Sequence, residues 1–131
     1  MSALLLDTHA FIWLSDDSPE LPTSLRVKIE ATDSVFVSIA SFWEISIKAA
    51  IGKLSLKDDF STIEERFRAT RFILLPISIK DTVRLQTLPN HHKDPFDRII
   101  IAQALTNSLS VVSRDNTFNA YPIQCVWDIN R

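Results

Sequence analysis

Glycine is almost absent from this chain: a single one, Gly52, stands among 131 residues. Loops that cradle phosphate need several glycines for close backbone approach, so neither a P-loop nor a dinucleotide-binding turn can be built here. Cysteine is as scarce. Cys125 alone can form no internal disulfide, which suits a reducing compartment, and its short apolar surroundings read as those of a small buried hydrophobe rather than a reactive thiol. Long apolar runs are missing too. The first, Ala3 to Leu6, stops at Asp7, far short of a signal-peptide core or the roughly 20 residues of a membrane span. The expectation is a soluble cytoplasmic protein with no membrane partner. With no internal repeat, linker or low-complexity tract, residues 1–131 read as one domain, long enough to bury roughly two-thirds of its unfolded surface.

Neither sign of charge dominates. The chain carries 16 acidic and 14 basic residues, a formal net of −2 that by itself disfavours an anionic partner. Setting aside Asp7, Glu44, Asp97 and Asp115 leaves 12 acids against 14 basic residues, a net of +2. Overall charge therefore decides little.

Strands and helices alternate. A strand over 2–6 precedes a helix through Ala10 to Leu14, and Pro22 opens a second helix reaching Thr32. Ser34 to Val37 reads as a β-branched and aromatic strand, with Ser38 or Ser41 capping the helix that carries Trp43, Glu44, Ile47 and Ile51, and Gly52 ending it. Asp58 to Thr70 reads as a charged amphipathic helix, then a strand near Ile73 to Ile77 and a helix over Ile79 to Leu88. After a polar loop, Asn90 to Lys93, Pro95 suits the first turn of a helix running to Ser108. Strands at Leu109 to Ser113 and Gln124 to Trp127 close the pattern. The fold class predicted is α/β, a three-layer α/β/α arrangement around a mainly parallel sheet.

The four acids set aside above share a placement: each sits where a strand ends or a helix begins, or interrupts an otherwise apolar stretch. In an open parallel sheet the C-terminal strand ends are where ligands bind. Carboxylates gathered there repel one another by roughly 3 to 4 kcal/mol per pair at about 4 to 5 Å and an effective dielectric near 20. A divalent cation such as Mg²⁺ or Mn²⁺, which favours oxygen ligands, relieves that repulsion. Each acid also has a plainer reading: Asp7 as a helix N-cap, Glu44 as the i,i+4 partner of Lys48, Asp97 as a first-turn charge, Asp115 as a turn residue. Asp94, directly before Pro95, competes with Asp97 and is assigned to capping or support.

The segments LLLDTHAFIWL, SIASFWEISIKAAIGKL, HHKDPFDRIIIAQA and VVSRDNTF resemble, in order and spacing, the PIN-domain ribonucleases, and most closely the VapC-type toxins of bacterial toxin-antitoxin pairs. That resemblance spans nearly the whole chain. It implies a PIN-like fold and a Mg²⁺- or Mn²⁺-dependent endoribonuclease whose acidic pocket is made by Asp7, Glu44, Asp97 and Asp115. It also implies products with a 5′-phosphate and a 3′-hydroxyl, a homodimer, and a cognate antitoxin that lays a segment along the toxin. Thr8 matches the hydroxyl that follows the first acid, and Ser113 stands where many relatives carry Thr.

Positive charge from His91, His92, Lys93, Arg98 and Arg114 is expected beside the pocket, where it would meet RNA phosphates. Adjacent His91 and His92 lack zinc-ligand spacing. Trp13, Phe42 and Trp43 read as core or dimer contacts before base-stacking platforms. The helix Ser41 to Lys53, with Ile63 and Phe67 from the next one, offers an apolar groove for the antitoxin. A noncatalytic PIN-like RNA- or protein-binding module is the first rival. A phosphatase using Asp7 as nucleophile is the second, weakened because the position two residues on is His9.

Overall fold

Three leucines in a row, Leu4–Leu6, form a strand buried on both faces, which only a sheet covered by helices on both sides allows. In the computed structural model, which describes residues 3–91 and 93–127, this strand is β1. The others are β2 (Val35–Ser38), β3 (Ile73–Leu75), β4 (Ser110–Val112) and β5 (Cys125–Val126). They form one sheet of order β3-β2-β1-β4-β5, with every pairing parallel. The helices are α1 (Thr8–Ser15), α2 (Thr23–Ala31), α3 (Ile39–Ala50), α4 (Ile63–Arg68), α5 (Ile79–Gln86) and α6 (Pro95–Asn107). None is long and apolar enough to cross a membrane.

The pleat sends alternate residues to opposite faces. Leu5 and Val111 pack with Ile100, Ile101 and Ala104 of α6 on one face. Leu4, Leu6, Val35, Val37 and Val112 pack on the other with Phe11 of α1, Leu25 and Ile29 of α2, and Ile45 of α3. The α/β class and the helix-covered parallel sheet expected from the sequence are therefore present.

Chain order places the site. From β1 the chain builds outward through β2 to β3, then returns to add β4 and β5 on the opposite side of β1. Leu6 is level with both Val37 and Val112. A crevice at such a reversal, outside the carboxyl ends of β1 and β4, is where parallel sheets bind ligands.

Local chemistry adjusts several boundaries. Asp7 caps α1, so that helix begins at Thr8 rather than Ala10. Ser38, not Ser41, caps α3. Gly52 follows α3 at φ +75°, the left-handed backbone that favours glycine after a helix. The single helix expected over 58–70 is instead a 3-10 turn, Phe60–Thr62, capped by the Asp59 side chain, followed by the short α4. β3 stops at Leu75 because Pro76 has no N–H to continue the ladder.

One buried polar side chain ties these parts together. Gln103, fully buried in α6, accepts a 2.6 Å hydrogen bond from the Ser38 hydroxyl and donates to the carbonyls of Leu75 and Pro76. Ser38 in turn accepts from the Ala40 N–H at the start of α3. The start of α3 is thereby fixed to α6 and to the end of β3. Gln103→Leu strands several of these groups without partners, so we expect a loss of about 2 kcal/mol or more, measurable in urea unfolding.

Candidate active site

Asp7 follows the last residue of β1 and is 7% exposed. Its Oδ1 accepts a 2.8 Å hydrogen bond from the Ala10 N–H, so the same carboxylate caps α1 and faces the crevice. Burial raises the Asp7 carboxyl above its ordinary range, against the lowering effect of hydrogen bonds from Ser113 and Ala10. The next residue, Thr8, donates its hydroxyl to Ser41 at 3.0 Å, both buried. This bond joins the start of α1 to the first turn of α3.

Ser41 lies one turn before Glu44, which is 3% exposed. Lys48 donates to Glu44 Oε2 at 2.5 Å. The i,i+4 pair foreseen as a solvated alternative is thus real but largely buried on the acidic side. Among the described residues the other oxygen, Oε1, is buried without a hydrogen-bond partner. The Lys48 ammonium is held above its ordinary pKa by its hydrogen bond to Glu44, by the Glu44 charge, and by the nearby Asp94 and Asp97 charges.

Asp94 takes the capping role expected of it. Asp94 caps α6, its Oδ1 accepting from the Phe96 and Asp97 N–H groups at 2.8 and 3.2 Å. Asp97, in the first turn, is half-buried. Burial, then the charges of Asp94, Glu44, Asp7 and Asp115, push its carboxyl up to about 7. Five acids from four separate stretches of sequence therefore share one electrostatic neighbourhood. Asp115 is exposed at its edge, accepting from the Thr117 N–H and hydroxyl, while its own N–H donates to the Ser113 hydroxyl at 3.0 Å.

A family model, the PIN domain, matches residues 4–124. The chain belongs to the PIN-domain family. No curated protein sequence matches it significantly. Among solved structures, this PIN domain resembles a DNA-bound VapBC from Salmonella typhimurium, at 18% identity and a TM-score of 0.72, covering 96% of this chain and 98% of that one. VapBC2 from Rickettsia felis bound to a promoter DNA fragment is similar at 14% identity and a TM-score of 0.70, covering 96% and 99%. A toxin-antitoxin complex from Klebsiella pneumoniae matches at 20% identity and a TM-score of 0.64, covering 95% and 96%.

The cations expected beside the PIN-domain crevice have differing surroundings. Arg98 donates to the carbonyls of Leu85, Leu88 and Pro89, where its charge offsets the C-terminal end of α5. His91 lies edge-on to Tyr121 at 5.0 Å, Lys93 is exposed, and His92 lies outside the described residues. Arg114 does border the crevice. It lines, with Asp7, His9, Trp13 and Asp115, a pocket of about 240 Å³. Phe42 packs against Phe11 and Phe67 as a core aromatic, whereas Trp43 is 60% exposed with its ring against Phe96. Burial and the Asp7 and Asp115 charges raise the Cys125 thiol pKa, in keeping with an unreactive cysteine. Lys48, Ser41 and Gln103 were not among the sequence candidates. For Gln103 the signal was a lone amide in the apolar run Ile99 to Ala104.

The elevated Asp97 carboxyl sets a pH dependence. The stability it contributes is complete below the unfolded value of 3.8 and is lost as pH rises to about 7, because over that interval the folded chain holds a proton the unfolded chain has released. Metal-free protein should melt at a higher temperature at about pH 5 than at about pH 8. Asp97→Asn should flatten that slope. Thermal scans in EDTA measure both, and equal slopes would show that Asp97 is not the group responsible.

Proposed function

We propose that this PIN domain is the toxin of a type II toxin-antitoxin pair, a Mg²⁺- or Mn²⁺-dependent cytoplasmic endoribonuclease that hydrolyses RNA phosphodiester bonds. The observation that carries the reading is the shared neighbourhood of Asp7, Glu44, Asp97 and Asp115, whose mutual field and burial hold the Asp97 carboxyl near 7. Family membership and the toxin-antitoxin structures of the same fold support it.

The donor set fits a hard divalent ion. All four groups are carboxylates, and the unpartnered buried Oε1 of Glu44 is an oxygen that a cation would satisfy. Among the described residues no three acidic, imidazole or thiol groups close into a complete metal cage. Mg²⁺ does not require one, because it usually keeps several waters and takes one or two carboxylates plus substrate phosphate. Such an ion, when bound, supplies Lewis acidity at the scissile phosphate and a more acidic attacking water. The chain's own residues position that chemistry. Asp94 holds the first turn of α6 and hence Asp97, the Thr8–Ser41 bond fixes Asp7 relative to Glu44, and Ser113 anchors Asp7 and the Asp115 backbone.

Two apolar surfaces support the proposed partners. A groove of about 410 Å³ is lined by Ile39, Phe42, Ile63, Phe67 and Leu74, an apolar surface of the kind that receives an amphipathic helix. Trp43 and Ile47 on α3 and Ile51 at its C-cap, with Ile79 and Val83 on α5, are large exposed hydrophobics of the kind a homodimer covers.

Asp7→Asn, Glu44→Gln, Asp97→Asn and Asp115→Asn should each slow cleavage of total RNA about 100-fold or more, at least ~2.7 kcal/mol of barrier. Asp94→Asn should cost about tenfold. Mn²⁺ or Mg²⁺ at about 100 times its Kd should add ~2.7 kcal/mol of stability to wild type. An equal thermal shift in the Asp7→Asn, Asp97→Asn double variant would place the metal elsewhere. For control, a short neighbouring gene should encode a protein that binds this chain and blocks cleavage. Phe67→Asp should weaken that binding by about 2 kcal/mol or more, a change calorimetry would detect. If the neighbour's product neither binds nor inhibits, the toxin reading falls and the nuclease reading stands.

A further inference from the structure

Beside the carboxylates, on the β5 side of the sheet, lies an aromatic and cationic ledge that the acidic site leaves unused. Its centre is Arg114, between Ser113 and Asp115. The guanidinium carbon sits 4.4 Å from the Trp13 ring centroid, and Nη1 pairs with Glu20 at 2.7 Å. Two contacts thus pin a side chain that is 54% exposed. Trp13 is braced in turn by Trp127, edge-on at 5.9 Å, and by the His9 ring at 5.5 Å. Fixing a long cation before any ligand arrives lowers the ordering cost of binding.

Arg114 and Asp115 also form a partition between two hollows. One is the pocket of about 240 Å³ that contains Asp7. The other, of about 230 Å³, is bordered by Asn116, Asn119 and Trp127. Among the described residues neither asparagine side chain makes a hydrogen bond, so their amide donors and acceptors remain unspent at the rim. A simple anion would require the arginine but not the indoles or the amides. A base pair within a duplex keeps its faces covered by neighbouring bases. An unpaired nucleotide has an apolar face for stacking, polar edges for amides and an attached phosphate for the cation.

We propose that Trp13, Arg114 and Trp127, with Asn116 and Asn119 at the rim, form a subsite for an unpaired RNA nucleotide adjoining the phosphate presented to Asp7 and Asp115. This inference rests on the ribonuclease reading and adds to it a side of approach and the residues that would meet the nucleotide there. Arg114 meets the backbone while its stacked plane extends the indole surface toward the base.

The test uses the whole chain carrying Asp97→Asn, in Mg²⁺, with a fluorescein-labelled single-stranded RNA hexanucleotide of mixed sequence followed by anisotropy. Adding Arg114→Ala, at an exposed position, should weaken binding about 5- to 100-fold. Trp13→Phe, which keeps the apolar packing, should weaken it less. The Asn116→Ala, Asn119→Ala pair should reduce discrimination among bases at one position of the oligonucleotide. An abasic residue at that position should cost the parent more than it costs Arg114→Ala, because the two changes remove the same stacking contact. Binding of all three variants within twofold of the parent, or fully additive losses with the abasic oligonucleotide, overturns the subsite. Cleavage by wild type separates the two readings: if RNA is cut while the ledge variants bind normally, the nuclease stands and the subsite falls. If nothing is cut but Arg114→Ala still loses binding, the reverse holds.

Discussion

Mutual repulsion among carboxylates at the end of a buried central strand is the constraint that organises this molecule. Asp7, Glu44 and Asp97 are wholly or partly removed from water within reach of one another's charge. Left alone, that arrangement opposes folding. The neighbouring structure answers it with local devices. Helix N-termini offer N–H groups to Asp7 and Asp94 and a favourable dipole to Asp97 in the first turn of α6. Hydroxyls of Ser113 and Thr117 bind Asp7 and Asp115, and Lys48 takes one oxygen of Glu44. Capping and site formation are therefore one event. A carboxylate that spends one oxygen on its own helix has its second oxygen aimed by the backbone.

That dual use explains why the acids were legible in the sequence. Asp7 ends an apolar strand, Asp97 opens an apolar helix, and Glu44 interrupts a run that water does not reach; each position makes sense only if a polar need outweighs burial. The ordinary roles weighed against them also hold, since Asp7 caps a helix, Glu44 pairs with Lys48 and Asp115 stabilises a turn. Those roles are compatible with the site proposed above. Arg98 shows where the sequence stops speaking. Its side chain follows the direction of α5, whose last carbonyls attract it, and that direction depends on how two helices pack. The break between Asp59 and α4 was hidden for a similar reason: apolar spacing continues through it while the hydrogen bonding does not. Gln103 joins residues 65 and 28 positions away, a relation that no local pattern expresses.

The parallel sheet separates support from reactivity. Its strands are short, and their faces are filled with leucine, isoleucine and valine from both layers. Polar side chains concentrate at one rim, where β1 and β4 end level with each other and β2 ends one residue further on. The apolar groove beside α4 and the ledge around Arg114 open from different edges of that rim. A partner in the first and a nucleotide on the second would meet through the carboxylates between them.

Lys48 gives this rim a further property. Its ammonium belongs to the same helix as Glu44, one turn away, on a flexible four-carbon stem. When another cation approaches, Lys48 can swing toward solvent by side-chain rotation alone, leaving α3 in place. A cation held at the site proposed above would then replace the ammonium without a change in the pocket's shape, in the manner of an ion-exchange resin whose resident counter-ion is tethered to the matrix.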